Sequence, residues 1–224
     1  MPLPSDPSRL ILTDADIARP GPLKDALAQV DPHATTHAPG GSDPLTPASI
    51  GAVAATRFRT GTGSPEGVVA APVGTVYTDT AATNGAIEWT KWSGTGATGW
   101  VVTKGDTGWR SLDLLNGWGN NGAGTNTSPA VRRVNNTVMI RMRNLDSRGS
   151  TNTVFATLPS GFIPPSADGG IGIFGGSTVR PVYVSTDGTV RVSNPETVGA
   201  VAAATSISYI TAQAWPTTLP GTPA

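Results

Sequence analysis

Two short patterns in this chain match sites of known chemistry. Gly94-Thr95-Gly96-Ala97-Thr98-Gly99 fits G-x-G-x-x-G, whose glycines let a backbone cradle phosphate at a helix N-terminus. Asp106-Thr107-Gly108 fits the D-T-G of aspartic proteases, in which two carboxylates share one proton. His33 and His37 are the metal-ligand candidates. Asp113, Asp146, Asp168, Asp187 and Glu196 are the carboxylates from which a glycosidase pair would be drawn.

The elements around these residues decide between chemistry and structure. Gly99 is followed by Trp100-Val101-Val102, a strand pattern, so the glycines read as a loop between two strands. D-T-G occurs once, between Lys104-Gly105 and Trp109-Arg110, and reads as a turn in which Asp106 bonds its own backbone. Both histidines fall in a proline-rich segment, away from any pocket-forming domain, which speaks against a Ser–His–Asp triad. Four extended residues span roughly 13 Å, too far for His33 and His37 of one chain to share an ion. On a helical turn the two would meet, but Pro32 and Pro39 confine any helix there to little more than one turn; in a threefold assembly three copies of either histidine would converge on the axis, and no bound metal is expected otherwise. No cofactor is expected. The sequons at Asn126 and Asn135 are read as chance, because Met1 to Pro20 has no basic start followed by a long apolar run.

Composition narrows the class. Of 224 residues only 13% are charged, with formal net charge zero, 28 glycines, 20 prolines and no cysteine. Turn formers in this number, with few long charged side chains, point to an all-β chain. Zero net charge speaks against nucleic acid and anionic membranes. The absence of cysteine excludes disulfides, thiol nucleophiles and cysteine-ligated metal sites. The run 198–204 is too short to span a bilayer, so no membrane insertion is expected.

Four regions follow from the pattern. Residues 1–30 hold one short helix candidate, LKDALAQV, and form an attachment segment. Residues 31–56 are a Pro/Gly-rich shaft linker. Residues 57–110 form a small meander of about three strands, centred on 74–79, 86–92 and 100–103. Residues 111–224 form a β-sandwich, jelly-roll-like head. Its signals are the Asn135-Asn136 turn, the Asp187-Gly188 two-residue turn flanked by alternating valines, and strand runs near 153–158, 171–174 and 206–214.

The order of these regions resembles a known family. HATTHAPGGSDPLTPASIGA (33–52) is similar to shaft linkers of tail fibres and receptor-binding proteins of tailed bacteriophages, with their T-P-x-x-I-G-A segments. Residues 67–110 resemble a module of tail-fibre and minor tail proteins from phages of actinobacteria. LLNGWGNN, VRRVNNTVMIRMR and TVFATLPSGFIPP are similar to the β-rich tips of such fibres. The resemblance covers roughly residues 33–165. It implies an elongated homotrimer in the virion that binds host surface glycan and is not an enzyme, with its N-terminus docked to other tail or baseplate proteins. The alternatives are a virion structural part without receptor role and a glycan depolymerase.

Within that reading the tryptophans Trp89, Trp92, Trp100 and Trp109 fill the small module, which has little else to bury. The Asn- and Gly-rich loop from Asn116 to Asn126 is the glycan-site candidate, with Trp118 to stack on a sugar ring beside Asn120 and Asn121. Tyr183 and Tyr209 are weaker candidates, since both lie in strands.

Overall fold

The computed structural model describes residues 36–46, 48–122, 128–174, 178–193 and 206–224. The LKDALAQV helix, His33, the run 198–204, Asn126 and Glu196 lie outside the described residues. The chain divides into two units, 1–54 and 55–224.

In the first unit the described residues are held by turns, as its prolines and Gly40-Gly41 require. Thr46 and Ser49 satisfy each other reciprocally. Thr46 N–H donates to Ser49 Oγ at 2.9 Å, and Ser49 N–H donates to Thr46 Oγ1 at 3.1 Å. Leu45, Ile50 and Val53 remain exposed.

The second unit opens with a four-stranded sheet: β1 (Phe58–Gly61), β2 (Val76–Asp79), β3 (Ala86–Lys91) and β4 (Trp100–Gly105), neighbours in that order. The expected meander misses β1. That strand pairs parallel to β2, so no hairpin turn announces it, and its residues FRTG bury nothing fully. Beneath the sheet lie Ala71, Tyr77, Ala86, Trp89, Trp100 and Val102, joined by Trp215 from far along the chain. Trp92 and Trp109 correct the expectation that the module's tryptophans all fill it, Trp109 packing on Arg141 instead. The strand period places Trp89 and Lys91 inward, and Trp92 is 71% exposed.

Ten strands follow among the described residues: β5 (Arg110–Ser111), β6 (Gly119–Asn120), β7 (Ala130–Val134), β8 (Thr137–Arg141), β9 (Leu145–Asp146), β10 (Val154–Thr157), β11 (Asp168–Phe174), β12 (Thr178–Val184), β13 (Thr189–Val192) and β14 (Ser206–Ile210). Two antiparallel sheets, ordered β14-β8-β7-β5 and β10-β13-β12-β11, supply the walls of one core. Val131, Val138, Ile140, Ile207 and Tyr209 come from the first, and Phe155, Val182, Val184, Val190 and Val192 from the second. The architecture is mainly β and a sandwich. Among the described residues the second sheet has a Greek-key order, with β10 beside β13, and β6 leaves the connection from β5 to β7 to pair with β9 in a separate two-stranded sheet.

The Asp187-Gly188 hairpin is present, with all four flanking valines buried, but its loop is longer than two residues. Gly188 N–H closes a turn on Ser185 C=O at 2.9 Å, and Ser185 N–H donates to Thr189 C=O at 2.9 Å. Gly188 alone in this loop has positive φ, at 83°, as in a bulged hairpin. A Cβ there would lie 2.6 Å from Leu158 O, so the glycine also permits close packing.

Residues 55–224 are one compact unit, and the boundary at 110 is heavily bridged. Asn135, in the β7–β8 turn, donates its N–H to Gly105 C=O at 3.0 Å and accepts Gly105 N–H on Oδ1 at 2.9 Å. Arg133 is buried and donates to the carbonyls of Asn135, Gly161, Gln213 and Ala214. Its guanidinium also lies 5.0 Å from the Trp215 ring centroid. Residues 215–224 strap this joint. Trp215 Nε1 donates to Asn84 C=O at 3.1 Å, and Arg110 donates to Pro220 and Gly221 C=O.

Candidate ligand-binding site

Both enzyme-like patterns are absorbed by structure. The glycine loop 94–99 joins β3 to β4 and turns carbonyls inward. Gly96 C=O accepts Lys91 Nζ at 2.6 Å, and Thr98 C=O accepts it as well. The loop thus holds a fully buried cation, over the Trp100 ring, where a phosphate site would present N–H groups. Asp106 Oδ1 accepts Gly108 N–H at 2.8 Å, the expected turn. The carboxylate also pairs with Arg132, and that hydrogen bond, strengthened by the nearby positive charge, holds it below the usual carboxylate range. Thr107 completes the joint: its N–H donates to Arg133 C=O at 3.0 Å, and Arg133 N–H donates to Thr107 Oγ1 at 2.9 Å. His37 Nδ1 contacts Asp43 C=O at 2.9 Å, and among the described residues no three metal-ligating side chains cluster.

The candidate glycan residues separate. Trp118 is 4% exposed, so it is no stacking platform as it stands. Its ring packs on Phe155 at 5.6 Å and its Nε1 donates to Asn152 C=O at 2.9 Å. The sandwich needs a large apolar plug where β6 enters it, and that demand wins over display. Tyr209 is also buried, its hydroxyl donating to Phe162 C=O at 2.5 Å, and burial raises its pKa. Tyr183 is 43% exposed, on β12 beside Arg191 of β13. Asn120 is spent on its own loop: Nδ2 donates to Ser128 Oγ at 2.9 Å and Oδ1 accepts Gly122 N–H at 3.1 Å. Asn121 is exposed, its N–H donating to Asn144 C=O at 2.9 Å.

The loop does border a depression of about 480 Å³, lined by Asn116, Gly117, Arg148, Gly149, Ser150, Thr151 and Asn152. Two tight turns build it. Trp118 N–H closes the first on Leu115 C=O at 3.0 Å, and Ser150 N–H closes the second on Ser147 C=O at 2.8 Å. Their central pairs, Asn116-Gly117 and Arg148-Gly149, all have φ between 50° and 82°, the pattern of a type I′ turn. Cross-bonds fix one turn to the other. Ser150 Oγ donates to Asn116 C=O at 2.6 Å, and Asn116 Nδ2 donates to Val154 C=O at 2.9 Å. Arg148 reaches across β6 to Asn120 C=O at 3.2 Å. Gly119 makes room for it, since a Cβ there would lie 2.0 Å from Arg148 Nε. Trp118 is the buried support under this rim. The sequence flagged the Asn116 side; the Arg148-Gly149 turn was missed, though an Arg-Gly-Ser run after Asp146 carries a turn signal.

No protein-family model matches the chain, and no curated relative matches it in sequence. Among solved structures, the head domain of phage bIL170, described with the receptor-binding domains of lactococcal phages, is similar at 19% identity and a TM-score of 0.33. The match covers 46% of this chain and 96% of that domain. At this overlap neither fold nor function follows from it.

Proposed function

We propose that this chain is a receptor-binding protein of a tailed-phage virion, a homotrimer that holds a host surface glycan without cleaving it. The observation that carries the reading is the depression between the two cross-bonded turns. It offers a hydroxyl at Thr151, an amide at Asn152 and a guanidinium at Arg148, on loops fixed by a buried tryptophan. Such groups hydrogen-bond sugar hydroxyls and fix orientation. The sequence resemblance to phage tail proteins supports the virion location and an actinobacterial host, with residues 1–30 as the attachment segment. Exposed Leu45, Ile50 and Val53 in the shaft suit burial between chains.

The test is a pull-down of purified cell-wall polysaccharide with the full chain. Wild type is expected to retain polymer. Thr151→Ala combined with Arg148→Asn, which suits positive φ, is expected to lose about tenfold in affinity for two lost hydrogen bonds. Equal retention by the variant overturns this site.

A further inference from the structure

The outer face of the sheet β14-β8-β7-β5 carries a second feature. Along β8, Val138 and Ile140 point into the core while Met139 and Arg141 point outward. On β14, Ile207 and Tyr209 point inward and Ser206 and Ser208 outward, with Ser206 opposite Arg141 and Ser208 opposite Met139. Trp109, just before β5, lies across this face, its ring centroid 4.7 Å from the Arg141 guanidinium carbon. Trp109, Met139, Arg141, Arg143, Ser206 and Ser208 line a groove of about 360 Å³.

The arginines of this unit differ in how they are satisfied. Arg57, Arg110, Arg132, Arg133, Arg148 and Arg191 each donate to a carbonyl, hydroxyl or carboxylate oxygen. Arg141 does not: its Nε and one terminal nitrogen are shut off from solvent with no acceptor among the described residues. Desolvation first, and then the charge of Arg143, lower its pKa, as befits a cation lacking a counter-charge. None of the described residues lining the groove is a carboxylate. A buried donor left unmade is costly, and most so when charged.

We propose that this groove is an oxyanion subsite, in which the Arg141 guanidinium, backed by the Trp109 indole, receives a carboxylate or phosphate group carried on a sugar or polyol. A guanidinium pairs with either oxyanion through charge-assisted N–H bonds, and a rotation of the Arg141 side chain brings the two closed-off nitrogens into the groove to make them. The Ser206 and Ser208 hydroxyls stand where they meet neighbouring ligand hydroxyls, and Met139 with Trp109 gives an apolar floor for a ring. A groove of this size suits one or two sugar residues. The subsite deepens the glycan-binding reading by naming an acidic polymer, and the polymer's identity rests on that reading.

The experiment titrates the full chain at low salt with glucuronic acid, glycerol phosphate and glucose, followed by ligand-observed NMR and tryptophan fluorescence. At least one anionic probe is expected to saturate at millimolar concentration while glucose does not; which one binds identifies carboxylate or phosphate as the partner. Arg141→Ala is expected to weaken that binding about tenfold or more, the scale of a lost charge-assisted hydrogen bond. Ser206→Glu, an exposed change opposite Arg141, supplies an internal carboxylate and is expected to abolish it without loss of fold. Binding that is unchanged in both variants, or no preference for the anionic probes over glucose, overturns the subsite. A chain that retains wall polysaccharide yet fails this titration keeps its function and loses the subsite. A chain that binds an anionic probe through Arg141 yet retains no wall polysaccharide keeps the subsite and loses the function.

Discussion

Asp79 shows how one buried carboxylate organises a turn. It accepts the N–H groups of Gly63, Ala81 and Thr83 at 2.9, 2.9 and 2.8 Å. Burial alone would raise its pKa, but these bonds outweigh it and hold the carboxyl below the usual range. A folded pKa below the unfolded one gives stabilisation that is full above about pH 4 and is lost as pH falls through the folded value. Asp79→Asn is therefore expected to cost about 1–3 kcal/mol at neutral pH, because an amide cannot accept all three N–H groups. The same variant should flatten the acid limb of stability below pH 4, measured by urea denaturation across pH. An unchanged acid limb would contradict the assignment. The tie from Asp79 to Gly63 was not legible in sequence, since it spans sixteen residues. Asp106 was legible, because its turn partner Gly108 is two residues away.

At the scale of elements, local signals were read well and non-local ones were not. The Asn135-Asn136 turn and the valine hairpin announce themselves by period and turn chemistry. The parallel pairing of β1 and the placing of Trp215 in the first module's core do not, because both depend on contacts distant in sequence. The candidate site shows the same split. The Asn116 loop was found from composition, yet Trp118 turned inward, because its neighbours left an apolar space that only the fold creates. The C-terminal strap makes a specific demand on stability. Trp215→Ala removes an indole shared by the first sheet and the Arg133 joint, and is expected to cost about 3–5 kcal/mol. Denaturation of the wild type should be a single transition, since the joint ties both sheets. If instead the first module melts separately in the wild type, the strap does not couple them.

At the scale of the whole molecule, the account makes the chain one arm of an assembly. Shared burial of apolar shaft residues leads us to expect a trimer by sedimentation equilibrium, and a clean monomer at micromolar concentration would sink that proposal. Three weak glycan sites on one particle would bind cells by avidity, so affinity for a surface should far exceed affinity for a free sugar. The charge reading changes with scale too. The chain is neutral overall, yet Arg141 and Arg143 line one groove, so modest salt dependence is expected at that face alone. The central claim is surface attachment through residues 55–224. It is tested by staining a panel of actinobacterial and other bacterial cells with fluorescent full-length chain, competed by soluble wall polysaccharide. The account predicts saturable staining of a subset of cells, lost on competition and weakened in the Thr151→Ala, Arg148→Asn variant. Staining of no surface in the panel, or staining that neither the polysaccharide nor the variant reduces, would contradict it.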